Sequence, residues 1–277
     1  MKTRTNEKGF TLVELAIVMA IIGLLIGGIL KGQELMENAR VASTVTQVKA
    51  IEAAMTTFRD TFNAIPGDMA RADVRLPSCN AACLSPTAAQ VGNGTVGTAT
   101  TVVEDQGVNA TTPLGAAQGA ETTLFWVHML VADLLGGLTD AAIQGGGFAG
   151  WGDTHPAAKI GGGFVVAHSG GLDSTLTTGL PGRPANAPDN IPVGTVLVLR
   201  AALGGNVTNT PGVQPVSPLR AAQIDRRIDD GQSSSGTVQS YGDATSCYFD
   251  IDADGNPPYT YAETVKAKDC GLVMQIQ

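Results

Sequence analysis

Residues 8–30 read KGFTLVELAIVMAIIGLLIGGIL, and the fold turns on this stretch. Between Phe10 and Leu30 only one side chain, Glu14, ionises. As a helix rising about 1.5 Å per residue, the segment reaches about 32 Å, enough to cross the hydrocarbon of a bilayer. Ahead of it, MKTRTNEKG carries Lys2, Arg4 and Lys8 against Glu7, a cationic flank that the positive-inside tendency keeps cytoplasmic while the remainder is exported. An ordinary secretory signal has a shorter apolar stretch ending at a small-residue cleavage site, and neither feature is found here. Glu14 is the anomaly. A carboxylate within the bilayer costs on the order of 3 kcal/mol or more and is tolerated when something pairs with it.

Lys8-Gly9-Phe10-Thr11-Leu12-Val13-Glu14-Leu15 resembles the class III signal of type IV prepilins and type II secretion pseudopilins. The resemblance implies that a prepilin peptidase cuts between Gly9 and Phe10 and that the new Phe10 amine is N-methylated. It implies also that Glu14, fifth in the mature chain, pairs with the terminal amine of a neighbouring subunit during assembly. An ammonium and a carboxylate brought together in hydrocarbon relieve each other's desolvation. Loss of the leader, whose side chains sum to +2, takes the formal charge from −8 to −10, so the exported body is acidic.

Outward from this span, Val41, Val45, Val48, Ile51, Met55, Phe58 and Phe62 recur by threes and fours, which predicts one helical stripe continuing the membrane helix. The helix is expected from about Phe10 to Asn63, a rod of about 80 Å, stopping at Ile65-Pro66-Gly67. The expected divisions are a leader over 1–9, a transmembrane or filament-core helix over 10–30, its amphipathic half over 31–65, and a β-rich head with long loops over 66–277. Gly23, Gly27, Gly28 and Gly32 either permit close helix approach and local melting or reflect the ordinary frequency of glycine in membrane helices.

A hydrophobic share of 43% supplies a core, while 35 Gly, 14 Pro, 5% aromatic and 15% charged residues describe a loop-rich, mostly β body. The acidic balance argues against nucleic-acid binding as a global property. Residues 68–119 lack sustained periodicity and read as a long surface excursion with short strands around Val96 and Val102. Leu124, Val127, Val131 and Leu134 predict a helix from about Glu121, stopped by Gly136-Gly137. Strands are expected at Phe164–His168, Val193–Ala201, Val238–Tyr241, Tyr248–Ile251 and Leu272–Ile276. Ser217-Pro218 offers an N-cap and first-turn proline for a helix through Ile228. Without regular strand–helix alternation the sheet should be antiparallel, giving an α+β fold of pilin-like type: a long N-terminal helix packed on an antiparallel sheet.

Three further stretches resemble a subgroup of pilin-like proteins. They are Phe58-Arg59-Asp60 with Ile65-Pro66-Gly67-Asp68-Met69, then Glu121 to Leu135, then Ile224-Asp225-Arg226-Arg227-Ile228-Asp229-Asp230-Gly231. The subgroup often carries proline where this chain reads Gln232 to Ser235, so the turn there is expected to differ.

Four cysteines in an exported body predict two disulfides, with three pairings open. Proximity favours Cys79 with Cys83 and Cys247 with Cys270, and the second pair resembles the disulfide-bounded C-terminal region of pilins. Spacing and the absence of nearby histidines disfavour a metal site from these thiols.

Asp250-Ile251-Asp252-Ala253-Asp254-Gly255-Asn256 matches the first half of an EF-hand-like calcium loop. The second half fails, because Tyr261 stands at the twelfth position, Glu263 follows two residues later, and Pro257-Pro258 redirects the chain. An acidic surface turn is the favoured reading, with calcium through Asp250, Asp252 and Asp254 its rival. Otherwise no cofactor is expected. Gly92-Asn93-Gly94-Thr95-Val96-Gly97 fits a dinucleotide fingerprint in letters, but no strong strand precedes it and a flexible loop is expected. Sequons at Asn93, Asn109 and Asn206 are short enough to arise by chance. His128, His155 and His168 lack metal-ligand spacing, and no nucleophile motif is found, so no catalytic residue is assigned.

The resemblance implies a structural subunit of a type IV pilus or pilus-like filament, polymerised through its N-terminal helix. Its partners are copies of itself or related pilins, the prepilin peptidase, and an inner-membrane assembly platform and motor. It would sit in the bacterial inner membrane before assembly and in an extracellular or periplasmic filament afterwards. Rival readings are an adhesive or priming minor pilin at the tip, a type II secretion pseudopilin, and a membrane-tethered enzyme. The mature length of about 268 residues, generous for a shaft subunit, raises the tip reading.

Overall fold

The computed structural model describes residues 11–77, 79, 83–84, 91–97, 121–139, 150–169, 193–203, 211–243, 245–250 and 258–276. Two compact units divide the chain, Met1–Arg40 and Val41–Gln277. Helix α1, Leu12–Phe62, runs from the first into the second. Within the first unit it presents its apolar side chains outward, and an 18-residue window of mean hydropathy 2.6 is entirely unburied. By length and composition it is a helix able to cross a membrane.

In the second unit α1 changes character at Val41. Val41, Val45, Val48, Ile51 and Met55 are buried in one core with residues of an antiparallel sheet. The helix ends at Phe62, within a residue of the expected end and just ahead of Ile65-Pro66-Gly67. Asn63 takes the left-handed conformation (φ 47°) and its N–H donates to Arg59 O at 2.8 Å, so an asparagine cap stops the helix before Pro66 is reached. A short helix α2, Ala72–Arg75, follows. It overturns part of the expected surface excursion: Met69, Ala72, Leu76 and Cys83 pack with Phe58 and Val127 in a second buried cluster. Val96 is fully buried in a bend and forms no strand; Val102 lies outside the described residues.

Helix α3 spans Glu121–Val131. Its end precedes the glycines that were expected to stop it, since Asp133 turns left-handed (φ 58°) and Leu134 N donates back to Met129 O at 3.0 Å. Strands β1 (Gly163–Ser169), β2 (Gly194–Arg200), β3 (Val238–Gly242) and β6 (Cys270–Gln275) form a four-stranded antiparallel sheet in the order β1-β2-β6-β3. Strands β4 (Tyr248–Asp250) and β5 (Tyr259–Tyr261) pair separately. The sequence reading missed β5, because three residues beside a proline pair carry too little alternation. Helix α4, Pro218–Ile228, begins at Ser217, whose carbonyl, and not its hydroxyl, receives the first-turn N–H groups.

Alternation along the strands divides the sheet into two apolar faces. Phe164, Val166, Leu197, Leu199, Leu272 and Met274 share the core with α1, whereas Val165, Ala167, Val196, Val198 and Val273 form a separate buried cluster with Tyr241. Tyr241 fixes the outer face: its ring lies over Gly271 of the neighbouring strand, and its hydroxyl donates to Leu199 O, one strand further, at 2.8 Å. A Cβ at Gly271 would fall 2.0 Å from that ring, which is why glycine occupies a strand interior.

Candidate functional site

At the start of α1, Thr11 and Glu14 satisfy each other. Thr11 N and Thr11 Oγ1 both donate to Glu14 Oε2 at 2.9 Å, and Glu14 N donates to Thr11 Oγ1 at 3.2 Å. This is a capping box, Thr-x-x-Glu, and the spacing is legible in residues 11–14. The acid singled out for assembly therefore also takes up one otherwise unpaired backbone donor of its own helix start, Thr11 N–H, while the Thr11 hydroxyl takes up another, Glu14 N–H. Gly9 and Phe10, the expected cleavage pair, lie outside the described residues. Exposed ion pairs, Lys31–Glu34 at 2.6 Å and Glu37–Arg40 at 2.8 Å, mark the polar continuation of the helix. Such pairs contribute little to stability.

Just beyond the end of α1 in the head, two of the stretches that resemble pilin-like proteins meet. Gly67 (φ 89°) packs against α3 so closely that a Cβ would lie 2.3 Å from Glu121 O. His128 joins three segments: its Nδ1 accepts Gly67 N–H at 2.9 Å, and its Nε2 lies 3.0 Å from Cys83 O. Burial lowers its pKa to about 4, partly opposed by the carbonyl of Cys83, so the ring is neutral. With Nδ1 accepting, the proton sits on Nε2. Asp68, itself buried, accepts N–H groups from Gly92, Asn93 (3.1 Å) and Gly94 (2.7 Å). The glycine-rich loop thus does cradle an anion, but that anion is the chain's own carboxylate. Glu121 Oε2 accepts Gly97 N–H at 2.7 Å. Its Oε1 is buried without a partner among the described residues, and burial first, then the charge of Asp68, raises its pKa to about 7 against the opposing Gly97 bond.

The third stretch braces the C-terminal strands. Asp225 Oδ2 accepts Tyr261 O–H at 2.8 Å and its Oδ1 accepts Gly231 N–H at 3.2 Å. Burial outweighs those bonds and raises its pKa to about 7. Asp229 accepts N–H groups of Thr237 and Val238 at the start of β3, and Asp230 holds the turn through Gln232 N (2.8 Å) and Ser235 Oγ (2.5 Å). Carboxylate oxygens of Asp225, Asp229 and Asp230 come within 4.8 Å of one another, yet every one of these residues serves local donors. Arg226 pairs with Glu263, the acid that would have to complete an irregular calcium loop. Asp252, Asp254 and the side chain of Asp250 lie outside the described residues.

Both disulfides join neighbours in sequence order. Cys247 and Cys270 tie the turn before β4 to the start of β6, and Cys79 is bonded to Cys83 beside His128. His155 is fully buried with its Nδ1 2.9 Å from Thr154 Oγ1, and burial lowers its pKa to about 3; His168 sits on β1. A cleft of about 450 Å³ at the helix exit is lined by Arg59, Asp60, Asp68 and Arg75, with both charge signs balanced.

Residues 4–30 match the family model described as the prokaryotic N-terminal methylation motif, the hallmark of type IV prepilin-like proteins. No curated protein and no solved structure matches the chain. The matched segment and the exposed apolar part of α1 coincide, and together they support a prepilin-processed protein of pilin or pseudopilin type that is membrane-anchored before assembly.

Proposed function

We propose that the chain is a structural subunit of a type IV pilus or pilus-like filament, cut between Gly9 and Phe10 and polymerised through its N-terminal helix. The observation that carries this reading is the methylation-motif match over residues 4–30, lying on a helix whose apolar surface is unburied in the single chain. A lone helix with that surface needs lipid or other helices around it, and a filament core supplies the second once the subunit leaves the first. Glu14 pairs with the Phe10 amine of a neighbour in this scheme, and the assembly platform, motor and peptidase are separate proteins. The head performs no chemistry. An adhesive or priming tip pilin and a type II secretion pseudopilin use the same anchor, and the size of the head favours the tip role as the second reading.

Intact mass and N-terminal sequencing of protein sheared from cells, beside a Glu14→Ala strain, test the proposal. The expected result is a chain starting at methylated Phe10 in sheared filaments, lost or sharply reduced in the variant. Protein that keeps Met1 and never enters filaments overturns it.

A further inference from the structure

Two buried carboxylates hold one glycine-rich loop at two points. Asp68 takes the N–H groups of Gly92, Asn93 and Gly94, and Glu121, at the start of α3, takes that of Gly97 at 2.7 Å. The two acids differ in what is left over. Both oxygens of Asp68 are engaged by the loop, whereas Glu121 Oε1 is buried and receives no hydrogen bond. Among the described residues no lysine, arginine or histidine bonds either carboxylate.

The loop, residues 91–97, carries no ionisable side chain. Gly92 and Gly94 form part of the wall of the cleft at the helix exit, beside Asp68. The other charged groups on that cleft are Arg59 and Asp60 of α1 and Arg75 of α2, the last donating to Phe62 O. His128, further along α3, is neutral and is committed to Gly67 N–H and Cys83 O.

We propose that residues 91–97 are a pH-operated wall of this cleft, held closed while Glu121 keeps its proton and released more often once that proton is lost to water. An ionised Glu121 in the closed loop would carry charge on a buried oxygen that no donor reaches, beside a second carboxylate. Gly97 N–H and the first turn of α3 favour that charge; burial and Asp68 oppose it. Burial prevails over the Gly97 bond and, with the charge of Asp68 added, raises the Glu121 pKa to about 7. Release of Gly97 admits water to Oε1 and relieves the ionised acid. Val96, fully buried in the closed loop, still draws the segment back, so the proton sets how often the wall opens.

The direction in pH follows. A group whose pKa is about 7 when the loop is closed and returns to about 4.5 when it opens favours the closed loop below 4.5 and loses that effect as pH rises to 7. Opening therefore increases by about tenfold per pH unit at most across that interval and levels off above it.

Hydrogen exchange of the detergent-solubilised full chain, read by mass spectrometry between about pH 5 and 8, tests the proposal. Each rate is divided by that of the same segment unfolded, which removes the intrinsic effect of pH on exchange. Protection of residues 95–97 is expected to fall by at least about tenfold between pH 5 and 7 and then to level off. Glu121→Gln keeps an oxygen for Gly97 N–H but has no proton to lose. It should abolish the dependence in residues 95–97 and leave the profile of β2 as in the wild type. Flat protection of the wild-type loop overturns the proposal, and this profile needs no variant to fold. A dependence that survives Glu121→Gln overturns it as well. Neither result depends on whether the chain forms filaments.

Discussion

At the scale of single residues, four of the buried titratable groups in the head have pH dependences that oppose one another. Burial lowers His128 to about 4 and His155 to about 3, so their contribution is present above about 6.5 and is lost as pH falls through the folded values. Burial raises Glu121 and Asp225 to about 7, so theirs is present below the ordinary carboxyl range and is lost as pH rises toward 7. Between about pH 4 and 7 the two slopes offset each other. Asp225→Asn retains an acceptor for Tyr261 but removes one of the falling terms. Thermal unfolding should therefore show the variant gaining on the wild type as pH rises from 4 to 8, by no more than a few kcal/mol. An unchanged difference across that range would show Asp225 to be ionised in the folded head. Little in the sequence warns of these groups. His128 stood on a helical stripe and Asp225 in an acidic run, and nothing in spacing alone separates a buried bridging side chain from a solvated one.

At the scale of elements, long periodic signals were legible and local ones were not. The stripe from Val41 to Phe58 and the alternation in β1, β2 and β6 were read from sequence because many residues repeat one pattern. The end of α1 falls within a residue of the expected Asn63, whereas α3 stops short of Gly136-Gly137, because Asp133 adopts a left-handed cap before the glycines are reached. The glycine-rich loop reads as flexible in sequence, because its anion, Asp68, lies 24 to 26 residues away and only the fold brings them together. The capping bond of Glu14 is legible in the Thr-x-x-Glu spacing of residues 11–14. The link between Cys247 and Cys270, separated by 23 residues, belongs to this scale as well, since it joins the turn before β4 to the start of β6. Its removal by a Cys247→Ser, Cys270→Ser double variant should cost about 3 kcal/mol, seen as a lower melting temperature of the head.

For the whole molecule, the division at residue 40 separates two kinds of surface. One unit exposes aliphatic side chains along a helix, and the other buries nearly all of its own, with Val74, Val193, Val213 and Phe249 the large exposed exceptions among the described residues. The first surface is suited to lipid or to other helices; the second is suited to water. Quantitative mass spectrometry of sheared filaments separates the remaining roles. A shaft subunit should dominate the preparation, whereas a tip pilin should be present at a small fraction of the major component. Absence from any surface filament together with co-purification with a secretion apparatus would favour the pseudopilin.

The bond between Thr11 and Glu14 bears on what happens before any neighbour arrives. A chain waiting in the bilayer need not leave its one intramembrane acid without a donor, because the helix end supplies two from within the same molecule. On the proposed function such a subunit can be held in reserve, and joining a filament becomes an exchange of partners, with the acid surrendering its own threonine as it takes up a stranger's amine.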